Sequence, residues 1–296
     1  MLQNQKIAIT GASGFLGRNL LHHLGKNNYQ LTVLDRGKAD FSKAIRIVKG
    51  NLLTGEGIDE FLSGSGVLIH LAGQVSPDST SMGEGNIRTT ENLVSKVRKH
   101  QVKRIIFSST VAVYGSSSNE KLFKESDICN PDTEYGLSKF KAEEIIKKLC
   151  KEIGIQYTML RFSSLYGPGN NKGLVYNLCT DLTNKGMITV YGDGRQKRDL
   201  VWGDDAARVL LVALEQNLKG VYNIGAGNNY SILDIISILE KVSGRKSRIV
   251  FKKPDTSKMS NIFYSIEKIK KETGWMPKMT IEEGLKLVYK SLLKYS

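Results

Sequence analysis

The chain has 296 residues, 40% hydrophobic and 24% charged, which gives enough apolar residues for a sizeable core; no apolar run is long enough to span a bilayer, and MLQNQKIAIT opens on a strand pattern rather than a signal peptide. The net charge is +14, of which residues 241–296 (14 Lys+Arg, 5 Asp+Glu) supply +9; these basic residues alternate with an ordinary apolar period, which reads as a solvated helical face and argues against a nucleic-acid partner. Cys129, Cys150 and Cys179 are scattered and odd in number, and the four histidines lack metal-ligand spacing, so a cytoplasmic protein without a structural metal is expected.

The first half alternates strand-like and helix-like segments. KIAIT is a short apolar run ending at a glycine turn, and FLGRNLLHHLG follows with helical spacing. LTVLD, IRIVKG, VLIHLAG and RIIFSS predict further strands, with GNIRTTENLVSKVRKH a helix ahead of the last of them. YGLSKFKAEEIIKKLCKEIG predicts a long helix and IQYTMLRF a sixth strand. Strands rich in Ile, Val and Leu with helices between them imply a parallel sheet covered on both faces. After residue 164 the rhythm changes to polar, glycine-bearing loops (YGPGNNKG, YGDGRQKRD) and to the helices SILDIISILEKVSG and TIEEGLKLVYKSLLKYS. The expected division is a parallel-sheet domain over 1–164, to which the chain returns around 199–224, and a smaller lobe over 165–296.

Between the first strand and helix stand Gly11, Gly14 and Gly17. Glycines at this spacing allow a tight turn, close backbone approach to a pyrophosphate and tight helix–strand packing, with the phosphate at a helix N-terminus. Asp35 ends the next strand, where a carboxylate accepts from ribose hydroxyls and repels a 2′-phosphate. This favours NAD, while the adjacent Arg36 leaves NADP open. Tyr135 and Lys139 lie one helical turn apart on one face. An ammonium and an oxidised nicotinamide ring nearby would bring a phenol, ordinarily near pKa 10, toward use as a base. Thr110, just after RIIFSS, can supply a hydroxyl at a strand end. A lone Tyr-x-x-x-Lys is common on helix surfaces; here the glycine turn, the strand-end hydroxyl and the Tyr/Lys pair follow in order along one sheet. Tyr114 in VAVYG reads as packing.

Taken together, TGASGFLG, HLAGQVS, GNIRTTENL, FSSTVAVYG, YGLSK, LRFSSLYGPG, YGDGRQKRD, YNIGAG and GWMPKMTIEEGL resemble the extended short-chain dehydrogenase/reductases, in particular the nucleotide-sugar epimerases and their dehydratase and reductase relatives. The resemblance spans nearly the whole chain and implies a Rossmann-type doubly wound α/β fold with a smaller C-terminal substrate-binding lobe. It implies cofactor contacts from Gly11, Gly14, Phe15, Leu16 and Gly17, from Asp35, Arg36, Asn51 and Leu52, from Leu71, Ala72 and Gly73, and from Ser108, Tyr135 and Lys139. Thr110, Tyr135 and Lys139 fall on the catalytic positions, and Ser76, Thr110, Ser164 and Arg198 on substrate-binding ones, Arg198 toward a diphosphate. Asn51 replaces an aspartate, Ser164 an asparagine, and Ser265 an aspartate common in relatives. The 4,6-dehydratases carry Asp–Glu after the strand-end hydroxyl residue; Val111 and Ala112 stand there instead, so elimination of water lacks its acid and base. The reactions left open are 4-epimerisation of a UDP- or dTDP-linked hexose and NAD(P)H-dependent reduction of a nucleotide-linked 4-keto-6-deoxysugar. A non-catalytic RNA- or protein-binding member would have no need of phenol, ammonium and hydroxyl in register. Relatives pair helices 86–100 and 134–152 between subunits, so a homodimer is expected.

Overall fold

Strands whose residues are nearly all Ile, Val, Leu or Ala are stable only where both faces are covered, and the computed structural model covers them with helices. It describes residues 5–25, 29–37, 41, 45–73, 81–116, 121–253 and 261–293. In chain order the elements are β1 (Lys6–Thr10), α1 (Phe15–Leu24), β2 (Gln30–Asp35), β3 (Ile45–Lys49), α2 (Ile58–Leu62), β4 (Val67–His70), α3 (Ser81–Val97) and β5 (Arg104–Thr110). A 3-10 turn (Val111–Tyr114) leads to β6 (Leu122–Phe123), α4 (Glu134–Ile153), β7 (Gln156–Phe162), β8 (Ser164–Tyr166), α5 (Leu174–Lys185) and β9 (Met187–Tyr191). Then come β10 (Lys197–Arg198), β11 (Leu200–Trp202), α6 (Gly203–Glu215), β12 (Gly220–Ile224), β13 (Tyr230–Ser231) and α7 (Ile232–Ser243). The chain ends with β14 (Arg248–Lys252), β15 (Phe263–Tyr264), α8 (Glu267–Thr273) and α9 (Ile281–Leu293).

The main sheet has the order β3-β2-β1-β4-β5-β7-β12, and the pairs β3–β2, β2–β1, β1–β4 and β4–β5 are parallel. This is the Rossmann-type doubly wound arrangement: the strand order reverses between β1 and β4, which opens a crevice beyond their carboxyl ends. The register sets Leu34, Thr10, His70 and Phe107 side by side across four strands. Two units are distinguished by their internal contacts. The first comprises residues 1–114, 128–161 and 207–222, and the second residues 115–127, 162–206 and 223–296.

In the first unit the apolar faces of α3 and α4 enter one core: Leu93, Val94 and Val97 of α3 meet Ala142, Ile146 and Leu149 of α4 over Leu68, Ile105 and Phe107. In the second, α5, α7 and α9 bury Leu178, Leu182, Ile235, Leu239, Leu285 and Val288 together with Ile188 and Val190 of β9. Short pairings dominate there. β8 runs parallel to β11, β9 to β14 and β6 to β15, while β10 is antiparallel to β13. In the basic C-terminal region, exposed Lys246, just past α7, pairs with Glu240, and Lys270 pairs with Glu267 along α8.

Arg104 opens β5 and is buried, with its guanidinium at the C-terminus of α6. It donates to the carbonyls of Ala213, Leu214 (3.1 Å) and Leu218 (3.2 Å) and to Thr158 Oγ1 (3.3 Å). The last carbonyls of a helix have no intrahelical partner and carry the negative end of its dipole, so a cation there meets both needs. Burial lowers the pKa of Arg104 to about 10, still far enough above neutrality to keep the charge. Arg104→Met is expected to lose about 2 kcal/mol of stability, since its charge-assisted bonds disappear while Leu218 N and Thr158 Oγ1 still serve the carbonyls of Ala213 and Leu218. A urea melt with the wild-type slope and a lower midpoint is the expected reading; an unchanged midpoint would exclude the capping role.

Candidate active site

Gly11 has φ +71, a left-handed conformation, and a β-carbon on it would come within 2.6 Å of Ala72 N and 2.8 Å of Leu71 C. The turn after β1 therefore lies directly against the backbone after β4, as a residue with a side chain would not permit. A β-carbon on Gly17 would overlap Gly11 O and lie 2.6 Å from Ala12 Cα, so α1 crosses the turn at the distance that only glycine allows. Gly14 sits at the N-cap in an extended conformation and gives α1 no side-chain cap; its N–H donates to Gly11 O at 3.0 Å. The next amides, those of Phe15 and Leu16, begin a helix whose positive dipole end opens on the crevice. This cradle fits a pyrophosphate.

Asp35 is buried at the end of β2, and its Oδ2 accepts from Gly37 N at 2.7 Å; Arg36 beside it is exposed. Asn51 follows β3 and spends its Oδ1 on Leu53 N at 3.0 Å, while the Leu52 carbonyl accepts from Asn92 Nδ2 at 2.8 Å. A carboxylate at the end of the second strand thus flanks the glycine turn, the arrangement suited to an adenosine ribose.

Thr110 ends β5, and its Oγ1 accepts from Ala112 N at 3.2 Å. Tyr135 stands in the first turn of α4, hydrogen-bonded to Thr110 through their side chains. Two features bring them together. Thr133 caps α4 by accepting from Gly136 N at 3.1 Å. Gly136 then presses on the 3-10 turn so closely that a β-carbon would stand 2.5 Å from Ala112 O. Burial pushes the Tyr135 phenol up to about 12, with the Thr110 hydroxyl pulling against it.

One turn on, Lys139 is buried, and its Nζ donates to the carbonyl of Ser108 at 2.9 Å and lies 4.7 Å above the Phe107 ring. Burial lowers its pKa to about 8, and Glu143 opposes that shift. A β-carbon on Gly73 would stand 3.0 Å from this amine, so the glycine keeps the backbone after β4 within reach of it. Asn86 of α3 donates to Ser138 Oγ at 3.4 Å, which in turn donates to Tyr135 O at 2.9 Å. The structure thus gathers Thr110, Tyr135, Lys139, Gly73 and the Ser108 carbonyl at the ends of β4 and β5.

Ser76, with Gln74 and Val75, is outside the described residues. In the second unit, Ser164 opens β8 beside Leu200 and is exposed. Arg198 pairs with Tyr230 in the β10–β13 ladder, and one of its nitrogens donates to Lys197 O at 2.8 Å. Its neighbour Asp199 is buried and accepts from the amides of Ala226 and Gly227, each at 2.8 Å, which fixes the GAG turn.

His70, Glu143 and Arg161 have no role in the sequence pattern, yet all three are buried around the site. His70 bonds Thr10 Oγ1 at 2.7 Å through Nδ1 and stacks on Phe107. Burial first, and Lys139 second, lower its pKa to about 3, so it is a neutral brace between β1 and β4. A charged residue inside an apolar strand, as in MLRF, is the signal that points to Arg161. Tyr114 is buried, as its packing reading implies, and its phenol accepts from Arg161 Nη1 at 2.8 Å. Among the described residues no group of three histidine, cysteine or carboxylate side chains is gathered for a metal ion, and no helix is long and apolar enough to cross a membrane.

Residues 7–225 match the family model of the NAD dependent epimerase/dehydratase family. A Methanocaldococcus jannaschii protein provisionally named as a UDP-glucose 4-epimerase is 30% identical over 95% of this chain and 96% of its own length. The dTDP-4-dehydro-6-deoxyglucose reductase of Escherichia coli is 25% identical over 97% of each chain. The crystal structure of UDP-glucuronic acid 4-epimerase from Bacillus cereus, in complex with UDP-glucuronic acid and NAD, superposes with a TM-score of 0.90 and 27% identity over 99% of this chain and 100% of that one. The chain belongs to the NAD dependent epimerase/dehydratase family and is an NAD-dependent enzyme of the extended short-chain dehydrogenase/reductase type.

Proposed function

We propose that the enzyme interconverts the C4 epimers of a UDP- or dTDP-linked hexose through a transient 4-keto sugar. The observation that carries this reading is the Thr110–Tyr135–Lys139 group at the end of β5, followed by Val111 and Ala112 rather than by an acid and a base. A phenol, a hydroxyl and an amine suffice for removing and returning a hydroxyl proton; they do not suffice for expelling water. The names of the relatives support a nucleotide-sugar substrate, and two of the three name a 4-epimerase.

When bound, NAD supplies first the acceptor and then the donor of the C4 hydride. The glycine cradle at Gly11, Gly14 and Gly17 would hold its pyrophosphate and Asp35 its adenosine ribose, while Lys139 would reach the nicotinamide ribose. Tyr135, as phenolate, takes the proton of the C4 hydroxyl as the hydride leaves C4. Thr110 donates a hydrogen bond to the same oxygen and keeps it in line with the phenol. Lys139, as ammonium, stabilises the phenolate against the burial that otherwise holds its pKa near 12. Once the keto sugar had turned over within the site and been reduced on its other face, Tyr135 would give the proton back to the C4 oxygen. The same groups would serve a one-way reduction of a 4-keto-6-deoxysugar, which the similarity to the Escherichia coli reductase keeps as the second reading. A cytoplasmic homodimer pairing α3 and α4 belongs to the same proposal, and light scattering at micromolar concentration that shows only monomer would remove the dimer.

The deciding assay offers UDP- and dTDP-hexoses with catalytic NAD and follows the anomeric signals by NMR. Formation of the C4 epimer is expected. Conversion of only a 4-keto-6-deoxy nucleotide sugar, with stoichiometric NAD(P)H, would establish the reductase instead. Tyr135→Phe should lower turnover by about a thousandfold with an unchanged melting curve, and near-normal turnover would refute the role of the phenol.

Dinucleotide choice gives an independent check. Asp35 should make NAD bind at least about tenfold more tightly than NADP, because a carboxylate beside a 2′-phosphate is repulsive. Asp35→Ala should erase most of that ratio in a fluorescence titration. Equal affinity in the wild type would mean that Arg36 governs the choice.

A further inference from the structure

Glu143 follows Lys139 by one helical turn on α4 and has no exposed surface. Its Oε1 accepts from Ser109 Oγ at 2.6 Å and from Arg161 Nε at 2.9 Å, and its Oε2 accepts from Arg161 Nη2 at 2.7 Å. Lys147 Nζ stands 3.5 Å away. Ser109 immediately precedes Thr110. Arg161 comes from β7, and its Nη1 reaches the phenol of Tyr114, the last residue of the turn that Thr110 leads into. One carboxylate thus ties α4 to β5 and β7 directly, and to the 3-10 turn through Arg161.

The surroundings of Lys139 give that carboxylate a second meaning. The contacts named above, the Ser108 carbonyl and the Phe107 ring, are both neutral. Lys139 interacts electrostatically with Glu143 of α4 and His70 of β4; Tyr135 precedes it by one turn on α4, Lys147 of α4 and Arg161 of β7 stand against Glu143, and from α3 comes the uncharged Asn86. His70 is neutral, the phenol of Tyr135 is held protonated by burial, and Lys147 and Arg161 are cations. Of these groups Glu143 carries the only negative charge, and Ser109 and Arg161 hold its carboxyl below the usual range despite burial.

We infer that Glu143 is a positioning residue for Thr110, Tyr135 and Lys139: it fixes α4 against β5 and β7 and provides the counter-charge that keeps the Lys139 side chain an ammonium. This rests on the proposed reading of Lys139 as a working residue of the site. The sign follows directly. An acid nearby raises the lysine's proton affinity, so without it the ammonium is lost at lower pH.

The test reads Lys139 itself. In full-length protein carrying 13C-labelled lysine, with the Lys139 resonance assigned through Lys139→Met, the Cε shift is followed against pH. Glu143→Gln should lower the midpoint by about one unit, and the alkaline limb of turnover should move down with it. Because that variant leaves Arg161 buried without its partner, a second one, Glu143→Leu with Arg161→Met, replaces the pair by apolar groups of similar size. That exchange removes a cation together with the anion, so a smaller shift in the same direction is expected there. An unchanged midpoint in either folded variant overturns the inference, as does failure of both to fold, which would assign Glu143 to the core alone. The titration needs no substrate. If the wild type epimerises nothing yet the midpoint moves, the proposed reaction falls and the counter-charge stands.

Discussion

The close seating of α4 against the end of β5 is the constraint on which the site depends. Tyr135 and Lys139 are a turn apart on the helix, so their position is set by how near the helix comes to Thr110 and at what rotation. Gly136 sets the distance, since any β-carbon would meet Ala112 O. Thr133 sets where the helix begins. The rotation is held farther along, where Glu143 engages Ser109 and Arg161. Distance, start and rotation leave a rigid helix little freedom, and a phenol must be placed to within a fraction of an ångström to transfer a proton efficiently.

This seating has an electrostatic consequence. Burial acts on both ionisable groups of the trio and in opposite directions: it raises the phenol to about 12 and lowers the amine to about 8. Each shift disfavours the charged form that the proposed chemistry uses. Removing water from a site therefore works against the catalytic charge states unless fixed charges are supplied in its place. The protein supplies one in Glu143. A bound oxidised nicotinamide would supply a positive charge near the phenol, and so a charge state suited to proton abstraction belongs to the loaded site rather than to the empty fold.

Much of this was legible in the sequence, for local reasons. Six of the seven main-sheet strands were legible from their apolar, largely Ile, Val and Leu content, a signal that survives without knowing any partner, whereas the seventh, β12 (GVYNI), was not. The glycines at 11, 14 and 17 declare a turn, and the Tyr–Lys spacing declares a helix face. The short strands of the second unit, such as β6 and β10, are two residues long, and β6 pairs with residues 263–264 far along the chain. No periodicity can emerge over two residues. Glu143 and Arg161 were hidden for a related reason. On an isolated helix a glutamate four residues after a lysine looks like a solvated pair, and only the strand that brings Arg161 against it reveals that both are buried.

The Glu143–Arg161 pair also shows why such residues are kept in a core. A buried ion pair is often no more stabilising than apolar groups of the same volume, whereas removing one partner costs about 3–5 kcal/mol. Stability alone gives little reason to place a carboxylate there. An apolar replacement could fill the space, but it could neither accept from Ser109 nor pull the proton affinity of Lys139 upward. Leucine or methionine would leave α4 free to rotate by small amounts at little energetic penalty, because dispersion contacts are non-directional. Directional bonds to β5 and β7 remove that freedom at the height of the catalytic positions. The interaction that looks least economical for folding is therefore the one best suited to holding a reactive geometry.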